Sequence, residues 1–407
     1  MRIIPIASGK GGVGKTTLAL NLSLALSRQY RTVLIDLDAG TSSLRNFLEM
    51  KINRDIYHFL KKDHPLEKCL VGLDQSLDPE NLFSGFSMIA SPRNFISDIV
   101  NLNEPLKKKL IRGINHLQAD YVILDLKAGI DEHVLDFLPI TNTGILVFTP
   151  RMQAAALTAA EMVRAILLRV CRILLEPESL KLDPREILKT EDFRVLASII
   201  NRLEDSYSRK IRNFDLFLQK AEEHYPETRI IPRLKGLINH FRVNFVLNQF
   251  DGLDTSAEQV IGPFVRQLHS LVSADLSPTN LGWIIFHEEI RNSSEYALPY
   301  LVMQQYRRKP KISDRARVDA ELDELMGLTR ADSVDLPRST PDDSGSNEVT
   351  RQLDVLKKMV SRGSNQDPAA NFDFVMARLQ ALGKSSIHHC GMNRILTPDE
   401  IRRIFYT

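Results

Sequence analysis

The sequence predicts an α/β fold with a mostly parallel sheet covered by helices on both faces. Two observations predict it. Short apolar, often β-branched runs recur through the first 150 residues at Ile3 to Ala7, Thr32 to Ile35, Phe86 to Ala90, Tyr121 to Leu124 and Ile145 to Phe148. Apolar character without alternation marks strands buried on both faces. Helical stretches such as Thr16 to Arg28 and Leu106 to Leu117 separate these runs, and parallel strands need such crossovers to bring the chain back to the same end of the sheet.

The remaining elements follow in order. Residues 152 to 175 read as one long sheet-covering helix, although Arg164, Arg169 and Arg172 among its aliphatics leave a membrane-surface or partner-binding helix as the alternative. From Glu176 to about Phe241 the pattern turns helical, charged and irregular, with one β-like run at Val195 to Ile200, and reads as an insertion. Sheet character resumes at Phe245 to Leu247, followed by a helix from about Ser256 to Leu271 and a strand at Leu281 to Phe286. The main domain is therefore expected over residues 1–310, with the helical insertion at about 176–241.

A basic and helical extension occupies 311–329, continuing the cluster Arg307, Arg308, Lys309, Lys311, Arg315 and Arg317. Such a charge run reads first as a solvated surface. Residues 330–350, rich in Ser, Asp, Pro and Thr, read as a disordered linker, and 351–407 as a helical C-terminal segment.

Composition excludes several classes. A hydrophobic fraction of 43% and a charged fraction of 26% over 407 residues are those of an ordinary globular chain. A net charge of +2 supplies no general drive towards nucleic acid, which would need a local basic patch. The cysteines Cys69, Cys171 and Cys390 show no CxxC spacing, so a reducing compartment is expected rather than a disulfide framework. The apolar run at residues 1–7 leads straight into a glycine loop, leaving no room for a signal peptide, and no apolar stretch is long enough to cross a bilayer. The expected location is cytoplasmic. His388, His389 and Cys390 lack a fourth ligand at metal-site spacing and are read as ordinary residues.

Gly9-Lys10-Gly11-Gly12-Val13-Gly14-Lys15-Thr16 satisfies G-x-x-x-x-G-K-[ST] and lies between a β-type run and a helical one, the context this phosphate-binding loop requires. Small residues let backbone N–H groups curl around phosphates, and the following helix points its positive end at them. Lys15 is expected to reach the β- and γ-phosphates and Thr16 to coordinate Mg²⁺. The fold is thus expected to be that of a P-loop NTPase, with ATP and Mg²⁺ as its ligands.

The extra lysine narrows this reading. Lys10 to Thr17, K-G-G-V-G-K-T-T, resembles the deviant Walker A motif of the MinD, ParA and FlhG group and its relatives the arsenical-pump ATPases, nitrogenase iron proteins and iron–sulfur scaffold ATPases. The resemblance implies that Lys10 crosses the interface of an ATP-sandwiched homodimer to touch the partner's phosphates. A cation from each side offsets the repulsion of two facing triphosphates.

Asp36-Leu37-Asp38-Ala39-Gly40 is similar to the group's switch I pattern D-x-D-x-G. The resemblance places Asp36 and Gly40 in that switch, Asp36 at the Mg²⁺ shell, and Asp38 as the water-activating carboxylate, with Lys10 and Lys15 completing the catalytic set. Asp125 matches the Walker B aspartate that holds Mg²⁺ through water, and Ala128-Gly129 match the end of the switch II pattern D-x-x-A-G. Lys127 departs from the pattern: small residues usually stand there, and an amine could contact phosphate, a partner subunit or only solvent. Phe245 to Gln249 resembles the strand whose terminal asparagine contacts adenine, which points to Asn248, with Asn201 as its rival.

The resemblance covers residues 1–172 and 242–305 and is closest to MinD and FlhG. It implies a slow, partner-stimulated ATPase that positions a flagellum, pole or division site, or regulates its number, and that recruits or is activated by a further protein. A ParA-like DNA-segregation ATPase is the alternative, with the 307–317 cluster as its DNA surface. Against it, ParA-type switch I continues D-x-D-P-Q where this chain has Ala39-Gly40. A low-turnover regulatory binding protein is a third reading. The absence of CxxC counts against an iron–sulfur cluster. MinD and FlhG proteins commonly end in a membrane-targeting helix, so Glu400 to Thr407, with Ile401, Ile404 and Phe405 beside Arg402 and Arg403, is expected to give weak contact with the inner face of the membrane.

Overall fold

Seven strands, β1 (Arg2–Ala7), β2 (Thr32–Asp36), β3 (Phe86–Ile89), β4 (Tyr121–Asp125), β5 (Ile145–Phe148), β6 (Val243–Phe250) and β7 (Pro278–Ile285), form one sheet in the order β3-β2-β4-β1-β5-β6-β7. Every ladder between them is parallel. The computed structural model describes residues 1–38, 43–48, 50–175, 190–205, 211–224, 230–252, 257–295, 298–305, 348–354, 357, 367–385 and 394–406. The 307–317 cluster, the 311–329 extension, most of the 330–350 linker and His388 to Cys390 lie outside them.

Nine longer helices accompany the sheet among the described residues: α1 (Lys15–Ser27), α2 (Glu104–His116), α3 (Gln153–Leu174), α4 (Thr190–Glu204), α5 (Phe214–His224), α6 (Ile230–Asn239), α7 (Gly262–Leu271), α8 (Pro368–Ser385) and α9 (Pro398–Tyr406). From β1 the chain steps one way to reach β2, and from β5 the other way to reach β6. Right-handed crossovers therefore put α1 and α3 on opposite faces, and the loops part at the carboxyl end of β1, where ligands of such sheets bind.

The inserted segment is helical where it is described, as its composition suggests, but Val195 to Ile200 is not a strand. It lies inside α4, whose buried residues Leu196, Ile199, Ile200 and Leu203 recur at helical spacing. The apolar run is the inner stripe of that helix.

The C-terminal segment, expected as a helical stretch beyond the main domain, packs on that domain through α8 and α9. Helix α1 is apolar nearly all round and buried from Leu18 to Ser27, which requires cover on the side away from the sheet. Helix α8 supplies it, packing on both α1 and β7. Asp373 pairs with Arg28 at 2.9 Å, and Asn371 Oδ1 accepts the backbone N–H of Ile285 at 3.1 Å, satisfying a donor on the edge strand. At Gly282, where φ is +139°, a Cβ would stand 2.9 Å from Phe374 and Val375, so glycine is what lets the helix approach.

Helix α9 begins with a capping box. The Glu400 carboxylate accepts the Thr397 N–H at 2.9 Å, and Thr397 Oγ1 accepts the Glu400 N–H at 3.4 Å. Ile401, Arg402, Phe405 and Tyr406 are buried. Arg402 Nε and the Tyr406 hydroxyl donate to the carbonyls of Ile173 and Leu174 at the end of α3, at 3.3 and 2.5 Å, while Arg233 of α6 donates to the Phe405 carbonyl at 2.5 Å. Helix ends leave carbonyls without intrahelical partners, and here the tail satisfies those of α3 while the insertion satisfies one of the tail's. The apolar side chains expected to dip into lipid face the protein instead, leaving Ile404 as the partly exposed one. Among the described residues no helix is long and apolar enough to cross a membrane.

Candidate functional site

The loop from Ser8 to Gly14 joins the carboxyl end of β1 to the first turn of α1. Gly12 and Gly14 take left-handed conformations, with φ of 77° and 82°, which side chains other than glycine resist. No side chain caps the amino end of α1, so its first N–H groups are left for a ligand. Ser8 Oγ donates to the Lys10 carbonyl at 2.8 Å, closing the loop on itself. A Cβ at Gly9 would lie 2.6 Å from Thr158 Cβ, so this glycine lets α3 reach the loop. Lys10, Gly11 and Gly12 are exposed, Val13 is buried, and Lys15 is only 7% exposed. Thr16 and Thr17 are half-buried in the first turn of the helix.

Asp36 and Asp125 end two adjacent parallel strands at paired positions, and both are fully buried. Ser91 Oγ donates to Asp36 Oδ2 at 2.9 Å and the Asp38 N–H to Asp36 Oδ1 at 3.0 Å. Burial first, then the charge of Asp125, pushes Asp36 up to about 7 against these hydrogen bonds. Burial likewise raises Asp125 to about 6, while the Lys15 ammonium and the Thr16 hydroxyl favour its charged form. Neither carboxylate oxygen of Asp125 takes a hydrogen bond at full geometric quality. Two buried carboxylates in this condition, beside a threonine hydroxyl, fit a hard divalent cation, which neutralises them and accepts oxygen donors. Among the described residues no three His, Cys, Asp or Glu side chains gather around one point. Thr16, Asp36 and Asp125 would hold Mg²⁺ jointly with phosphate and water, as suits an ion that keeps much of its hydration.

The segment that resembles switch II runs from Asp125 and is pinned by backbone bonds to β1 and the glycine loop. Leu126 N–H donates to the Ile6 carbonyl at 3.2 Å and Gly129 N–H to the Ser8 carbonyl at 3.0 Å, with Gly129 at φ 124°. Lys127 points outward, half-exposed, and its ammonium stands 3.9 Å from Asp131. Past the switch, Asp136 is buried between Lys107 at 2.5 Å and Arg169 Nε at 2.8 Å, which ties the segment to α2 and α3. Asp38 is half-buried, next to the Asp36 carboxylate that accepts its N–H. Gly40 lies outside the described residues.

Asn248, near the carboxyl end of β6, is buried and donates from Nδ2 to the Val13 carbonyl at 2.7 Å. The rival, Asn201, is in α4, where its Oδ1 accepts from Arg172 at 2.6 Å. The structure thus brings Gly9 to Thr17, Asp36, Asp38, Asp125, Gly129 and Asn248 to one end of the sheet and leaves Asn201 on the insertion. Three contributors escaped the sequence reading. Ser91 stands two residues past β3, and a polar residue just past a strand that neighbours β2 is a usable signal. Arg45, which bridges the Ser91 carbonyl at 2.8 Å and Asp55 at 2.7 Å, and Thr158 give none, because tertiary packing brings Arg45 to Ser91 and Thr158 to Gly9.

A family model described as an AAA domain matches residues 1–166. The septum site-determining protein MinD of Synechocystis sp. is 32% identical over 206 residues, which are 49% of this chain and 73% of that protein. A MinD-named relative from Chlorella vulgaris is 32% identical over 154 residues, 38% of this chain and 52% of the relative. The chain spans about half the length of that relative and of those from Nephroselmis olivacea and Oltmannsiellopsis viridis. Among solved structures, the MinD of Pyrococcus horikoshii complexed with Mg-ADP aligns at a TM-score of 0.42 and 16% identity, covering 74% of this chain and 87% of that one. On the strength of the Synechocystis match, the chain belongs to the MinD/ParA family of P-loop ATPases.

Proposed function

We propose that this chain is an ATP-binding and ATP-hydrolysing switch that dimerises through its phosphate-loop face, of the MinD and FlhG type. The observation that carries the reading is the buried pair Asp36 and Asp125 beside Lys15 and Thr16. Two carboxyls raised towards neutrality are costly in the empty protein, and Mg²⁺ with a triphosphate repays that cost. When bound, the cation neutralises charge on the phosphate oxygens.

Lys15, buried at the start of α1, meets the β- and γ-phosphates, and the left-handed turns at Gly12 and Gly14 aim backbone N–H groups at them. Asp38, held by its N–H to Asp36, orients and deprotonates water at the γ-phosphate. Lys10, exposed on the loop, is free to serve a partner's phosphates across a homodimer interface. Switch I and switch II both connect to the metal-site carboxylates, so the nucleotide state alters the surface they form. That surface recruits or responds to a further protein, and the cycle positions a division site, a pole or a flagellum or sets its number.

The experiment is twofold. Phosphate release from purified chain with Mg-ATP tests hydrolysis; no release above a Lys15→Ala control contradicts it. A deletion strain and a fluorescent fusion in the native cell separate the processes, since septum placement, flagellar number and chromosome partition differ in phenotype.

A further inference from the structure

We infer that Asn248 is a positioning residue of the phosphate site, holding the loop in its binding shape from the neighbouring strand. Its side-chain N–H donates to the Val13 carbonyl at 2.7 Å across 235 residues of sequence, in a buried setting. A trans peptide points its C=O and N–H in opposite directions. Fixing the Val13 carbonyl towards β6 therefore turns the N–H of Gly14 the other way, into the hollow of the loop.

The fit is reciprocal. Gly14 takes φ 82°, and a Cβ there would fall inside the van der Waals envelope of Asn248 Nδ2. Glycine at this position thus serves the backbone turn and the close approach of the amide together.

The strand end that carries Asn248 is firmly set. Val147 pairs with Val246 and Phe148 with Leu247 on one side, and the register with β7 shifts between Asn248 and Phe250. Gln249 takes a left-handed φ of 55°, and its side-chain oxygen accepts the Thr149 hydroxyl at 3.3 Å. A brace on a fixed strand pre-organises the loop, so binding spends less on ordering it.

The inference rests on the triphosphate-binding reading, and phosphate alone can test it. Mg²⁺ with inorganic tripolyphosphate, which has no base, and Mg-ATP are each titrated calorimetrically into the full-length wild type, Asn248→Asp and Asn248→Ser. Serine is too short to reach Val13 and removes the donor without adding charge; Asn248→Asp keeps the shape but exchanges the donor for a carboxylate, which also repels phosphate. The expected result is a loss of about 10-fold in affinity for both ligands by the same factor in Asn248→Ser, as removal of one buried hydrogen bond implies, and a larger loss, again equal for both ligands, in Asn248→Asp.

A loss confined to ATP makes Asn248 a base contact and overturns the inference, as does no loss for either ligand. If neither variant folds by circular dichroism, the residue is a folding requirement and the inference falls. Wild-type chain that binds neither ligand overturns the nucleotide reading and this inference with it.

Discussion

The backbones of Asp36 and Asp125 pair in register across β2 and β4, which sets two carboxyl groups side by side in the protein interior. Their ordinary value is 3.8; burial first, then the charge of Asp125, raises Asp36 to about 7, and burial, with a smaller push from Asp38, raises Asp125 to about 6. A carboxyl that is harder to ionise folded than unfolded costs nothing below the unfolded value. It costs progressively more as pH rises between the two values, and the full amount above the folded one. The empty protein is therefore expected to lose stability from about pH 4 to pH 7 through these groups. Mg-ATP should remove the loss and release protons at pH 6.5, measured as buffer-dependent heat. Asp36→Asn should stabilise the empty protein at pH 8 by about 1–3 kcal/mol and weaken Mg²⁺ binding. Proton uptake, or no proton exchange, would contradict the assignment.

Lys15 and Asp38 should separate binding from turnover. Lys15→Ala is expected to weaken ATP by at least ~100-fold, because it removes a buried cation aimed at phosphate. Asp38→Ala should keep ATP affinity within about 3-fold and slow phosphate release by ~10²-fold or more, the usual worth of a positioned general base. Fluorescent-nucleotide titration and single-turnover release measure the two. Normal hydrolysis by Asp38→Ala would return the catalytic role to another carboxylate.

Lys127 is expected to slow the cycle. The side chain is half-exposed and only 3.9 Å from Asp131, so its loss should leave folding within about 0.5 kcal/mol. Lys127→Gly is expected to raise phosphate release by ~10-fold, equal to about 1.4 kcal/mol of barrier, with ATP affinity unchanged. An unchanged rate makes the lysine a solvated surface group.

Much of the site is legible in the sequence because each part sits at the carboxyl end of a strand that pattern alone locates. Gly9 to Thr16, Asp36 and Asp125 are of this kind. What escapes is contact made by tertiary packing. Val195 to Ile200 reads as β because its branched residues cluster, yet the period of its buried positions is helical. The terminal helix reads as amphipathic, and the sequence does not say whether its apolar face meets lipid or α3 and α6; the hydrogen bonds of Arg402, Tyr406 and Arg233 decide it.

The C-terminal segment should accordingly behave as part of the domain. Gly282→Val forces a side chain against Phe374 and Val375 at a φ of +139°, and is expected to cost about 2–4 kcal/mol by thermal or urea unfolding. A chain truncated before Asp367 uncovers the outer side of α1 and should aggregate or melt well below the full chain. Full-length protein should not sediment with anionic liposomes through α9. Strong sedimentation that Phe405→Ala abolishes would restore the membrane role.

Whether ATP drives two copies together separates a dimerising switch from a static nucleotide-binding protein. Light scattering on size exclusion of Asp38→Ala with Mg-ATP, with Mg-ADP, and after adding Lys10→Ala measures this most directly. Dimer with ATP, monomer with ADP, and loss of the dimer on Lys10→Ala with nucleotide binding retained is the predicted result; a single oligomeric state under all three conditions would contradict it.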